Sequence, residues 1–354
     1  MDPKSIIQKF SQKNKIAGIS VGLINKTESN TFHVGEIKKA SGIIPTEETL
    51  FEIGSMTKTF TAILAAQLQQ EGILSLDEPI TKYLPEFVNS EFDKKNITLF
   101  HLLTHTSGII EFPYRVFIPQ ILSILIKGKS RIPQYSYNSQ KFLDFVSKLK
   151  LKNSPGSTFS YSNSGVGLAG KIFERVTNSS YEELIQNRIC DELDMKDTRI
   201  NILETQKNRL ATGYTPRNKE ADYWVKPAIE SAGSLYSTVS DMLKFLKANL
   251  GLKKSKLSEV MQYCYSTKIE PKIPFSMKFS TGIFGIGLST FRLGWFGYPK
   301  DNKILVHSGG TEGFTSFMAI NLEDQKGVVV LTNRGLRPVD KLGIELLKNL
   351  GHRK

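Results

Sequence analysis

A serine three residues ahead of a lysine opens the chemistry of this chain: Ser55-Met56-Thr57-Lys58. A hydroxyl is a poor nucleophile until a base stands within hydrogen-bond reach. Residues three apart on a helix share a face, with Cβ atoms roughly 5–6 Å apart, so Lys58 can reach back to Ser55. A helix start at Ser55 would also aim free backbone N–H groups at an oxyanion forming nearby. Phe51-Glu52-Ile53-Gly54 before the pair, and Phe60, Ile63, Leu64 and Leu68 after it, give Lys58 an apolar setting. Desolvation there favours the neutral amine, which can take a proton. The plainer alternative is a capping serine beside a solvated lysine.

Two further segments carry reactive side chains. Tyr161-Ser162-Asn163 follows Pro155-Gly156 in a serine-rich stretch, with a phenol and an amide two residues apart and free to face one way. Near an ammonium a phenolate is favoured, and the tyrosine can shuttle a proton. The alternative is a turn that caps the next helix. His307-Ser308-Gly309-Gly310 ends the apolar strand Lys303–Val306. Its glycines allow close approach of an extended substrate, and the Gly310 N–H can be a second oxyanion donor. Here the alternative is a plain turn. His101 and His105 have the spacing of a helical zinc pair, but Leu102 stands where a metalloprotease needs glutamate, and no third ligand is evident. No metal or organic cofactor is expected. The pattern Gly-x-Ser-x-Gly is absent around Ser55, which argues against an α/β-hydrolase.

In this order the three segments resemble the serine β-lactamase and penicillin-binding-protein superfamily. The class C-like branch is the nearest pattern, with its D-alanyl-D-alanine carboxypeptidases, β-lactamases and esterases. Lys13–Val21, His101–Gly108, Pro155–Asn163 and Ser231–Thr238 are similar to segments of that branch, so the resemblance covers most of the chain. It implies that Ser55 is the acylated nucleophile, Lys58 its base or proton relay, and Tyr161 a partner in proton transfer. Asn163 would hold the substrate amide and Lys58. His307, Ser308 and Gly309 would meet the substrate, its carboxylate falling to His307 and Ser308, and the Ser55 and Gly310 N–H groups would form the oxyanion hole. Two departures stand out: position 307 is His rather than Lys, and Ile109–Pro113 has no amide side chain where class C β-lactamases carry one. Both point away from a dedicated β-lactamase and toward a D-amino-acid peptidase or an esterase-like relative, with D-alanyl peptides of peptidoglycan the preferred substrate class and β-lactam hydrolysis weak. A carboxylesterase, or a receptor that acylates without turnover, are the alternatives. An imidazole of ordinary pKa, near 6.5, would lose its charge between about pH 6 and 8, and carboxylate binding with it.

The elements that must position these groups follow from periodicity. Ile19, Val21 and Leu23 alternate with small residues as in a strand, and Thr31–Val34 reads as its hairpin partner across Asn25–Asn30. Apolar residues at three and four from Ser55 to Glu71 predict a helix that stops at Gly72. Further strands are predicted at Gly282–Arg292, Lys303–Val306, Phe314–Ile320 and Val328–Leu331, then a helix over Val339–Leu350. Strands at both ends with helices between imply an α/β (α+β) fold with an antiparallel sheet flanked by helices. The sheet domain is expected over 1–74 and 281–354, with a mainly helical insertion over 75–280.

The 354 residues carry 47 Lys+Arg against 34 Asp+Glu, a net charge of +13. The cations are scattered rather than striped with aromatics, which excludes a nucleic-acid protein. Val116–Ile126, followed by Lys127, Lys129 and Arg131, suggests a weak contact with an anionic membrane or cell wall, against a buried helix as the alternative. No apolar run reaches the roughly 20 residues of a membrane span. Cys190 and Cys264 fit neither a disulfide framework nor a zinc site and read as buried thiols. Met1-Asp2-Pro3-Lys4 has no apolar signal region, so the sequence leaves a cytosolic protein and a processed precursor both open. The resemblance favours a periplasmic or secreted enzyme. Partners are expected to be small-molecule or peptide substrates (a D-alanyl peptide, a β-lactam or an ester), and the oligomeric state is left open.

Overall fold

A computed structural model describes residues 2–109, 138–151, 153–224, 226–273 and 290–351. The apolar segment Val116–Ile126, the stretch Ile110–Pro113 and most of the expected strand Gly282–Arg292 lie outside these residues.

Val328 to Leu331 are apolar without alternation, as a strand covered on both faces must be. They form β10 (Lys326–Thr332), which lies between β1 (Gly18–Asn25) and β9 (Thr315–Asn321). Val328 and Val330 pack on one side with Ile19, Val21, Leu23, Phe317 and Ala319, while Val329 and Leu331 pack on the other with Met318 and Ile320. Beyond β1 lies β2 (Glu28–Gly35), and beyond β9 come β8 (Asp301–Gly310), β7 (Phe296–Tyr298), β6 (Phe291–Arg292) and β5 (Lys268–Ile269). All neighbours are antiparallel. The β1–β2 connection is tighter than the sequence suggests. Asn25 faces Glu28, leaving a two-residue turn whose Lys26 takes φ +56°, as such hairpins require.

One face of the sheet is covered by α1 (Pro3–Asn14) and the C-terminal helix Val339–Asn349, through Ile6, Ile7, Leu342, Leu346 and Leu347. The other receives α2 (Thr57–Gln70) and the helix Val239–Asn249. Their contact is a stack of Phe60 on Phe245 with centroids 4.3 Å apart. Gly22 lets the second helix sit directly on β1, since a Cβ there would fall 2.8 Å from the Leu243 side chain. The central stretch supplies α3 (Asn163–Thr177), begun by a cap in which the Ser162 hydroxyl accepts the Gly165 N–H at 3.0 Å. The pair β3 (Phe51–Glu52) and β4 (Tyr236–Ser237) stands apart from the main sheet and leads straight into the Ser55 turn.

Candidate active site

Ser55 sits in a single tight helical turn, Gly54–Met56, that feeds into α2. Two contacts with the sheet hold that turn. The Ser316 hydroxyl donates to the Ile53 carbonyl at 2.7 Å. Gly309 leaves room for the same carbonyl, because a Cβ there would stand 1.9 Å from Ile53 O and 2.4 Å from Ser316 Oγ. Gly54 takes φ +51°, and a Cβ on it would meet Gly310 N at 2.7 Å. The end of β8 and the nucleophile's turn therefore touch backbone to backbone. Gly310, whose N–H is the expected second oxyanion donor, thus lies against the residue just before Ser55. Among the described residues nothing lies within 4 Å of where a Gly310 Cβ would be.

Lys58, one turn along, is 4% exposed. Its Nζ lies 3.2 Å from Ser55 Oγ, 2.7 Å from Asn163 Oδ1 and 2.5 Å from the Ala232 carbonyl. The Tyr161 hydroxyl lies 2.7 Å from Ser55 Oγ, and the lysine ammonium stands 4.9 Å from the Tyr161 ring centre. Asn163 Oδ1 and the Ala232 carbonyl are pure acceptors. A neutral lysine could give its two N–H groups to them and turn its lone pair to Ser55 Oγ. With a charged lysine, the acceptor for the serine proton would be the Tyr161 oxygen as phenolate. Either arrangement lets a proton leave Ser55 within one hydrogen bond. Tyr161 precedes the Ser162 cap and Asn163 opens α3, so one helix start aims both side chains at Ser55.

His307 departs from the imidazole of ordinary pKa expected for it. It is 1% exposed, and Nδ1 lies 2.8 Å from the Ser308 carbonyl, which can only accept, so Nδ1 carries the proton and Nε2 the lone pair. Burial, with Lys58 close by, drives its pKa down to about 3. The ring is neutral at pH 7 and supplies no positive charge to a carboxylate. Ser308, also buried, sits next to it on β8, directly across from Phe317.

His101 and His105 do not form a pair. His101 Nδ1 accepts the Thr98 N–H at 3.2 Å and caps its own short helix. His105 is buried with its ring 4.5 Å from that of Tyr161, and its Nδ1 accepts the Ser162 N–H at 3.2 Å. Desolvation, then Lys58 and His307, hold its pKa well below the ordinary value. Lys58 is thus flanked by two neutral imidazoles. Among the described residues no group of three His, Cys, Asp or Glu side chains is placed to hold a metal ion.

Sequence reasoning gave four groups no role in this site. The Ala232 carbonyl on Lys58 lies in a segment that attracts notice only as a likeness. Ser316, read only as part of a strand, and His105, read only as half of a rejected zinc pair, support the site from behind. Arg337 is held beside Thr315, which faces Gly310 across the sheet, by its backbone N–H to Thr315 Oγ1 at 3.2 Å, while its guanidinium lies on the Leu336 and Pro216 carbonyls. The clue to Arg337 was its place just after the last strand.

The comparisons fit this geometry. Residues 4–350 match the family described as Beta-lactamase. A beta-lactamase of Pseudomonas fluorescens is 28% identical over 87% of this chain and 77% of its own length. A beta-lactamase of Escherichia coli K12 is 27% identical over 91% of this chain and 85% of its own. Among solved structures, a class C beta-lactamase superposes with a TM-score of 0.81 at 24% identity, over 99% of this chain and 96% of that one. A beta-lactamase/D-alanine carboxypeptidase from Pseudomonas syringae does so with a TM-score of 0.80 at 23% identity, over 99% and 98%. With the family matched along nearly its whole length and the sheet, the Ser55 turn and Lys58 arranged as described, the chain belongs to the beta-lactamase family of serine hydrolases.

Proposed function

We propose that this protein transfers acyl groups to water through a Ser55 acyl-enzyme, with D-alanyl peptides of peptidoglycan as the substrate class and weak β-lactam hydrolysis alongside. The convergence of Lys58 Nζ and Tyr161 Oη on Ser55 Oγ, at 3.2 and 2.7 Å, carries the reading. Ser55 attacks the acyl carbonyl as its proton passes to Lys58 or Tyr161. The Ser55 and Gly310 N–H groups hold the oxyanion, and the proton moves on to the leaving amine. Water then repeats the attack on the ester with the same groups as base. Asn163 keeps Lys58 aimed and offers its amide to the substrate. The carboxylate of a D-alanyl substrate meets the Ser308 hydroxyl, with no charge on His307 to hold it. Such substrates place the work outside the cytoplasmic membrane.

The neutral His307 gives the esterase reading an observation of its own, since an ester needs no cation at that end. Intact-mass spectrometry followed over time after a penicillin, beside turnover of a D-Ala-D-Ala peptide and a short-chain ester, separates the readings. A transient adduct with peptide turnover supports the proposal, and ester turnover alone favours the esterase. An adduct that persists makes the protein a receptor. An unlabelled Ser55 ends the acyl-enzyme reading.

A further inference from the structure

His105 follows the short helix Leu99–Leu103 and takes φ +59°, a left-handed backbone that few residues besides Gly, Asn, Asp and His adopt. This turn sets its carbonyl and its ring against one stretch of chain. The carbonyl accepts the Ser160 N–H at 2.8 Å, and Nδ1 accepts the Ser162 N–H at 3.2 Å. The residue between those two is Tyr161, whose ring lies 4.5 Å from the imidazole at an interplanar angle of 34°. Phe159 meets the same imidazole edge to face at 5.8 Å. Two further bonds lace the segments together: Gly156 N–H to the Thr106 carbonyl and the Ser160 hydroxyl to the Ile109 carbonyl, both at 3.0 Å. A backbone N–H can only donate, so Nδ1 of His105 bears the lone pair and the neutral ring carries its proton on Nε2. His307, which turns its Nδ1 to a carbonyl, is the opposite tautomer.

We propose that His105 is a positioning residue: its Nδ1 lone pair and its carbonyl grip the backbone on either side of Tyr161, its ring backs the phenol, and together they set the Tyr161 hydroxyl against Ser55. That hydroxyl stands 2.7 Å from Ser55 Oγ, and proton transfer over such a bond fades quickly when one end is displaced. Ser162 gives its N–H to His105 and uses its hydroxyl to begin α3, so the same grip fixes where Asn163 starts. A charged imidazole would turn a donor toward the Ser162 donor and release the segment. Burial, Lys58 and His307 all oppose that charge. The effect of His105 on the reaction passes through Tyr161.

The role rests on Ser55 as nucleophile with Tyr161 as its proton partner. Asparagine at 105 places Oδ1 close to where Nδ1 stands and tolerates the left-handed backbone, whereas phenylalanine keeps a ring and has no acceptor. In turnover of a neutral ester, His105→Phe should lower kcat by about 10–100-fold with KM changed less than about twofold, and His105→Asn should recover most of that loss. On a Tyr161→Phe background, His105→Phe should cost less than about twofold in kcat, because the group it aims is gone. Should His105→Phe fail to fold, nitrogen NMR of the native protein labelled at histidine decides. With His105 assigned by its absence from His105→Asn, its ring should be neutral and protonated on Nε2 at pH 7. A ring protonated on Nδ1 or on both nitrogens, equal losses in the Asn and Phe variants, or an undiminished loss on the Tyr161→Phe background overturns the proposal. A native protein whose Ser55 takes no adduct would remove the acyl-enzyme, while an Nε2-protonated His105 would still support the grip on the Tyr161 backbone.

Discussion

Replacing His307 by Asn should change stability by an amount that depends on pH in a calculable way. In the folded protein the imidazole titrates at about 3, whereas its ordinary value is 6.5. Below 6.5 the unfolded chain therefore binds a proton that the folded protein refuses, and stability is lost as pH falls from that value toward 3. The slope approaches about 1.4 kcal/mol per pH unit, which integrates to ~2 kcal/mol between about pH 8 and 5. Asparagine can keep a donor toward the Ser308 carbonyl and has no proton to bind. Whatever the substitution costs at the higher pH, that cost should be ~2 kcal/mol smaller at the lower one. Glu52 and Glu230, raised to about 7, work in the opposite sense: their contribution is full below about 4.5 and lost as pH climbs through 7. Comparing variant with native protein at each pH cancels them. Urea unfolding at the two pH values supplies the measurement, and a cost that does not change would mean that His307 titrates as an exposed imidazole does. The same pKa implies that the efficiency ratio of a carboxylate substrate to a neutral ester owes no decline to His307 between about pH 6 and 8, contrary to the sequence expectation.

Ser55→Ala should fold with a stability change under about 1 kcal/mol and give no acyl adduct by intact mass, and labelling at another residue would refute the nucleophile assignment. Lys58→Met should lower the acylation rate by roughly 10²–10⁴-fold in stopped-flow assays, because it removes a proton acceptor and frees Asn163. Gly309→Ala places a methyl 1.9 Å from the Ile53 carbonyl and should either lower the melting temperature sharply or displace Ser55, whereas Gly310→Ala, with open space around it, should fold as the native protein does.

Local pattern made much of the fold readable. Alternation at Ile19, Val21 and Leu23 and the unbroken run at Val328–Leu331 mark strands because burial on one or both faces leaves those signatures. Ser55, Lys58, Tyr161 and Asn163 were legible through the resemblance that the order of their segments carries, since spacing alone left each open to a plain capping or turn role. What escaped depends on contacts between distant segments. Nothing near His307 in sequence announces that it is sealed between Phe296 and the Lys58 region, so its charge could not be judged from residue type. Gly309 reads as a place for substrate to approach, yet it makes room for Ile53, more than two hundred residues earlier. The edge strand β5 has only two residues, Lys268 and Ile269, too few for any periodicity.

The pairing of β1 with β10 has a consequence for timing on the ribosome. The Gly18 N–H binds Asn333 Oδ1 across 315 positions of sequence. At roughly 5–20 residues per second, synthesis leaves β1 waiting about 15–60 s for that partner, with a strand edge open to mispairing. The seat of the nucleophile waits as well, because Ile53 is held by Gly309 and Ser316, which emerge among the last strands. A nascent chain already displays Ser55, Lys58, Tyr161 and Asn163 long before β8 and β9 can press the turn into place. Catalytic competence should then appear abruptly, once β8 and β9 have been made, and chains stalled before β9 should be inert toward acylating agents.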